Sequence, residues 1–129
     1  MSDWIYNRNG DPTCLLDSDC VRDNSGDVVA WISGRNLYSL DGNHIGWFEA
    51  GIFFDANNDV LGFFREARGL PLRPGLSGTP GRPGFSGRPG RPGFSGAPGR
   101  PGRGGWSNHD LEAYLHASRR RNSLTRHQS

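Results

Sequence analysis

Residues 5–68 repeat with a period of sixteen, four times without a gap, starting at Ile5, Val21, Leu37 and Phe53. The copies read IYNRNGDPTCLLDSDC, VRDNSGDVVAWISGRN, LYSLDGNHIGWFEAGI and FFDANNDVLGFFREAR. A unit this short holds one supersecondary motif, and such motifs gain stability by stacking. Five positions into each copy stands a residue suited to left-handed backbone: Gly10, Gly26, Gly42 or Asn58. It follows Asn9, Ser25, Asp41 or Asn57. Asn-Gly and Asp-Gly pairs between apolar runs signal a hairpin, because primed turns need positive φ.

The second half of each copy is apolar. Thr13, Val29, Ile45 and Leu61 form one column, and Leu15, Trp31, Trp47 and Phe63 another two residues on. Spacing of two predicts that both columns share a strand face. The small column between them (Cys14, Ala30, Gly46, Gly62) predicts close backbone approach, near an axis or where neighbouring strands cross. Leu16, Ile32, Phe48 and Phe64 close the strand. A lone hairpin is marginal in water. The expectation is a mainly β domain over residues 1–68, with eight short strands as four β-hairpins in a pseudo-four-fold arrangement.

The formal net charge of +2 conceals a split. Residues 1–68 carry five Arg and eleven acids, whereas residues 69–129 carry ten Arg and two acids, and there is no Lys. Arg pairs bidentately with carboxylates, so the basic half can lie on the acidic head of its own chain or of a neighbour. It can equally seek phosphate.

Within the segment 69–105, every third residue from Gly75 to Gly105 is glycine, and RPGFSG recurs at 82–87 and 91–96. Three readings stay open. The tract is a polyproline II arm lying on a protein surface, a collagen-like triple helix, or a flexible arm that binds RNA or single-stranded DNA. In the last, Arg82, Arg88, Arg91 and Arg100 meet phosphates while Phe85 and Phe94 stack on bases. A short helix is expected over about 108–119, inside a segment 106–121, with 122–129 as a disordered tail. Ser107 and Asp110 have the spacing of a capping box. An isolated helix of this length is marginal, so it must dock. Trp106, Leu111, Tyr114 and Leu115 are the candidate docking residues.

These pieces together resemble the bacterial 4-fold beta flower proteins. The resemblance rests on YNRNG, SLDGNHIGWFEAGIFFD, NNDVLGFF, the period-three tract and the ending Trp106-Ser107 to Asp110-Leu111-Glu112 with Tyr114-Leu115, and it spans essentially the whole chain. It implies a four-fold β architecture and carries no assigned activity. The chain departs from the family's usual proline-rich tract by placing glycine in every third position.

Chemistry is sparse. Cys14 is expected in the core and Cys20 half-buried; two cysteines are too few for a disulfide framework or a zinc site. His44, His109, His116 and His127 form no metal motif. The turn oxygens (Asn7, Asp23, Ser39, Asp55 and their neighbours) match ordinary turn formers better than a calcium loop. Glu49 and Glu66 are the nearest approach to an acid–base pair, and exposed turn carboxylates are the ordinary outcome. The expectation is therefore a non-enzymatic structural or protein-interaction module, with no catalytic, cofactor or metal residues. Its partners are protein, itself or another, including homo-oligomers, with nucleic acid as the alternative. With no apolar spanning run and no leader pattern, a cytoplasmic location is expected.

Overall fold

A computed structural model describes residues 2–117. The expected end of the helix and the tail at 122–129 lie outside the described residues. Eight strands follow in order: β1 (Ser2–Tyr6), β2 (Pro12–Asp17), β3 (Cys20–Asp23), β4 (Val28–Ser33), β5 (Asn36–Tyr38), β6 (His44–Glu49), β7 (Ile52–Phe54) and β8 (Val60–Phe63). Each pairs antiparallel with the next, and Tyr6 opposite Phe63 joins β1 to β8, closing a barrel. Closure removes the exposed edges that an open sheet would present.

The ladder slips by one residue at matching places: between Ile5 and Tyr6, Val21 and Arg22, Leu37 and Tyr38, and Phe53 and Phe54. Ile5 faces Cys14 but Tyr6 faces Pro12, so Thr13 is the extra residue of a bulge. A bulge breaks strict alternation. Val29 and Ala30 consequently sit in one core cluster, while Trp31 sits in another on the opposite face. This corrects the expectation that the Thr13 and Leu15 columns share a face.

The glycine turns also differ from the primed two-residue form. Asn7 N–H donates to Asp11 O and Gly10 N–H to Asn7 O, both at 2.9 Å. Positive φ falls at Gly10, Gly26, Gly42 and Asn58 (84°, 89°, 90° and 65°), and not at the residue before each. A primed turn needs it at both, so these are three-residue loops ending on one left-handed residue. The opposite end does hold two successive left-handed residues, Ala50 and Gly51, linking β6 to β7.

Both faces of the sheet are buried. Ile5, Cys14, Val21, Leu37 and Phe53 pack inside the barrel with Leu111 and Leu115. Tyr6, Trp47, Phe54 and Phe63 pack outside with Leu76 and Trp106, and Trp31 and Tyr38 pack outside with Phe94. The small column serves close approach, as expected. A Cβ on Gly46 would lie 2.0 Å from Phe54 O, and one on Gly62 would lie 2.9 Å from Leu111.

Cys20 is fully buried, not half-buried, because the tract covers the outer face on which it lies. Burial pushes both Cys14 and Cys20 above the usual thiol range. Neither thiol is expected to react with iodoacetamide at neutral pH until the protein is unfolded. Mass spectrometry of the native and urea-treated chain checks this; rapid native labelling of Cys14 would contradict the buried core.

Residues 73–104 form neither helix nor strand, and 111–117 form the helix α1. Among the described residues, no helix is long and apolar enough to cross a membrane.

Candidate docking site of the C-terminal arm

The tract runs round the barrel as a belt at the level of the glycine turns. Ser77, Ser86 and Ser95 donate their N–H groups to the carbonyls of Gly10, Gly26 and Gly42 at 2.9, 3.2 and 2.8 Å. Those turn glycines approach the belt so closely that a Cβ on each would lie 1.9, 1.9 and 2.1 Å from the carbonyl oxygens of Gly75, Gly84 and Gly93. Steps of sixteen on the barrel thus meet steps of nine on the belt. At the fourth turn, Gly104 N–H keeps the bond, donating to Asn58 O at 3.2 Å, and the Asn58 side chain adds two more: Nδ2 donates to Pro101 O at 2.9 Å and Oδ1 accepts from Arg100 Nε at 2.8 Å. The belt closes on itself where Trp106 Nε1 donates to Leu72 O at 3.1 Å.

Aromatic and ionic contacts secure it. Phe94 stacks on Tyr38 at 4.2 Å between centroids, and Phe85 lies 4.4 Å from the Arg22 guanidinium. Arg88 reaches Asp19 at 2.6 Å and Asp17 at 3.6 Å, Arg91 reaches Asp19 at 2.8 Å, and Arg100 reaches Glu49 at 2.6 Å. The residues read from sequence as phosphate or base contacts therefore touch the barrel, and Arg82 is not free either. Glu49 is shared by Arg100 and Arg35.

After the belt, the chain enters the barrel mouth. Leu111 and Leu115 are each 1% exposed. Tyr114 donates its hydroxyl to Ile45 O at 2.6 Å and accepts from Ala56 N–H at 3.2 Å. Trp106 packs edge-on to Phe63 on the outer face. The capping assignment shifts as well. Ser107 caps only His109 N–H and donates its own hydroxyl to Asp55 at 2.6 Å. Asp110 accepts from Ala113 N–H at 3.2 Å and is the helix cap, so α1 starts at 111 and not 108.

One column of turn formers has a second role that the sequence does not show. Asn7, Asp23 and Asp55 each use one side-chain oxygen to fix their own loop. Their second polar atom meets the arm: Asn7 donates to Asp110 at 3.4 Å, Asp23 faces His116 at 3.2 Å, and Asp55 accepts from Ser107. All three are buried, as this double duty requires. His44 and His109 line a cleft of about 470 Å³ beside Tyr114. Among the described residues, no three His, Cys, Asp or Glu side chains gather as a metal site.

Hydrogen bonds from Arg22, Arg88 and Arg100 hold Asp17, Asp19 and Glu49, respectively, below the usual carboxylate range. A carboxylate with a depressed folded pKa contributes stability in full above its unfolded value of about 4, and loses it as pH falls through the folded value. The melting midpoint is expected to drop below about pH 4, and Arg88→Ala to flatten part of that drop. A midpoint unchanged by acid in both proteins would contradict the ionic account.

Neither the curated proteins nor the solved structures return a significant match to the chain. The family model described as 4-fold beta flower protein matches residues 3–115, which takes in the barrel, the belt and the buried face of α1. The chain therefore belongs to the 4-fold beta flower proteins.

Proposed function

We propose that the chain is a non-enzymatic structural or protein-interaction module. In this reading, four hairpin repeats about a pseudo-four-fold axis are clasped by a polyproline II arm, and the arm's helix locks the barrel mouth. The observation that carries it is the step-for-step match of Ser77, Ser86 and Ser95 with Gly10, Gly26 and Gly42. A tract meant for solvent or for a distant ligand has no reason to keep nine residues in step with sixteen. The engagement of Arg88, Arg91 and Arg100 with carboxylates favours docking over phosphate binding. A triple helix would require the tract to leave these four turns and associate with two others.

Light scattering on the purified chain, at low and high salt, tests the reading. A defined mass unchanged by salt, with a protease-resistant tract, is expected. Nucleic acid that co-elutes at low salt and is lost at high salt would replace it with the phosphate-binding alternative. A trimer whose tract melts cooperatively would replace it with the collagen-like one.

A further inference from the structure

The four belt sectors are not equivalent. In three, an apolar side chain of the tract meets the outer barrel face: Leu76 in the Tyr6 cluster, Phe85 by Arg22, and Phe94 on Tyr38. The fourth sector departs at three positions. Asn58 stands in the glycine column, Arg103 replaces the apolar residue, and Gly104 replaces the serine. Breaks in an otherwise consistent pattern concentrate at functional positions.

A cleft of about 480 Å³ opens in this sector, lined by Glu49, Phe54, Asn58, Arg68, Arg100 and Arg103. That volume lies within the range of small-molecule sites. Three guanidiniums here face one carboxylate, and Arg100 already occupies Glu49. Arg103 lies 5.3 Å over the Phe54 ring and donates to Gly69 O. It has no carboxylate within ion-pair distance among the described residues. Arg68 is exposed and makes no hydrogen bond, ion pair or ring contact among them. Arg68 without an ion-pair partner, and Arg103 held by a neutral carbonyl and a ring face with Glu49 only at longer range, leave the cleft with excess positive charge.

We propose that this cleft binds a small polyanion bearing phosphate or carboxylate groups, with Arg68 and Arg103 as its ligating guanidiniums. The planar donor fork of arginine matches both oxyanions. The site goes beyond the module reading: it adds a ligand to a structure otherwise occupied with itself.

Calorimetric titration of the full chain with inorganic pyrophosphate, and separately with malonate, tests it. Saturable one-to-one binding of at least one is expected. Tighter pyrophosphate assigns phosphate ligands, and tighter malonate assigns carboxylates. Arg68→Ala, which breaks no contact of the fold, is expected to weaken binding about tenfold with an unchanged melting midpoint. Arg82→Ala removes the same charge from the second sector and is expected to weaken it by less than about twofold. Equal losses in the two variants would reduce the effect to diffuse charge and overturn the site. So would the absence of saturable binding by either anion.

Discussion

Replacing Leu111 and Leu115 together with Asp is expected to expel α1 from the barrel mouth. Both side chains are 1% exposed and belong to the cluster that fills the barrel interior. Burying a leucine contributes about 1.5–3 kcal/mol, and truncating one in a core costs about 2–5 kcal/mol. The pair therefore accounts for about 4–10 kcal/mol, against a total of about 5–15 kcal/mol for a typical domain. Two buried carboxylates without partners add to the loss. Urea denaturation should show the shift, and proteolysis should open between the belt and α1. Should the double variant not fold, Leu115→Ala alone is expected to lose about 2–4 kcal/mol and remain measurable. Wild-type stability and protease resistance in both variants would dismiss the plug.

The second large effect separates two glycines that meet in one contact. Gly26 has φ of +89°, and its added Cβ would lie 1.9 Å from Gly84 O. Left-handed backbone costs alanine about 1–2 kcal/mol. Moving the belt away also breaks the bond from Ser86 N–H to Gly26 O, and the Arg22 bridge that joins Gly26 O to Ser86 O at 2.7 and 2.8 Å. Gly26→Ala is expected to destabilise by about 2–4 kcal/mol and to make the tract protease-sensitive. Gly84→Ala, by contrast, places its Cβ in open space, with nothing within 4 Å, and is expected to cost less than about 1 kcal/mol. Gly34 separates the two causes: its φ is +62° but its Cβ position is open, so Gly34→Ala isolates the backbone penalty. Equal losses at Gly26 and Gly84 would refute the close contact.

Left-handed turn positions are legible in the sequence because so few residues tolerate that backbone. Gly10, Gly26, Gly42 and Asn58 mark four loops, and all four adopt positive φ. The bulge is not legible, because its extra residues (Thr13, Val29, Ile45, Leu61) are ordinary strand formers whose spacing looks regular. Ser107 misleads for a different reason. Its spacing to Asp110 is that of a cap, but its hydroxyl is drawn to Asp55, 52 residues away. Local spacing holds no record of such a contact. The docking residues Leu111, Tyr114 and Leu115 are visible from helical periodicity alone, while their socket in Asn7, Asp23 and Asp55 is hidden behind a sufficient local explanation as turn formers. The nine-residue period is visible too. Its link to the sixteen-residue one emerges only when the belt carbonyls are set against the turn glycines.

That link makes two distant stretches of sequence answerable to each other in length. Losing one Gly-X-Y triplet would leave the glycine rhythm intact yet slide every later belt residue off its seat, so that Phe94 no longer met Tyr38. Gaining a hairpin without nine more belt residues would leave a barrel sector bare. Viable length variants of this chain should therefore change in matched instalments, sixteen residues in the head with nine in the arm. The gene is ratcheted like a pair of meshed wheels, in which neither can gain a tooth alone.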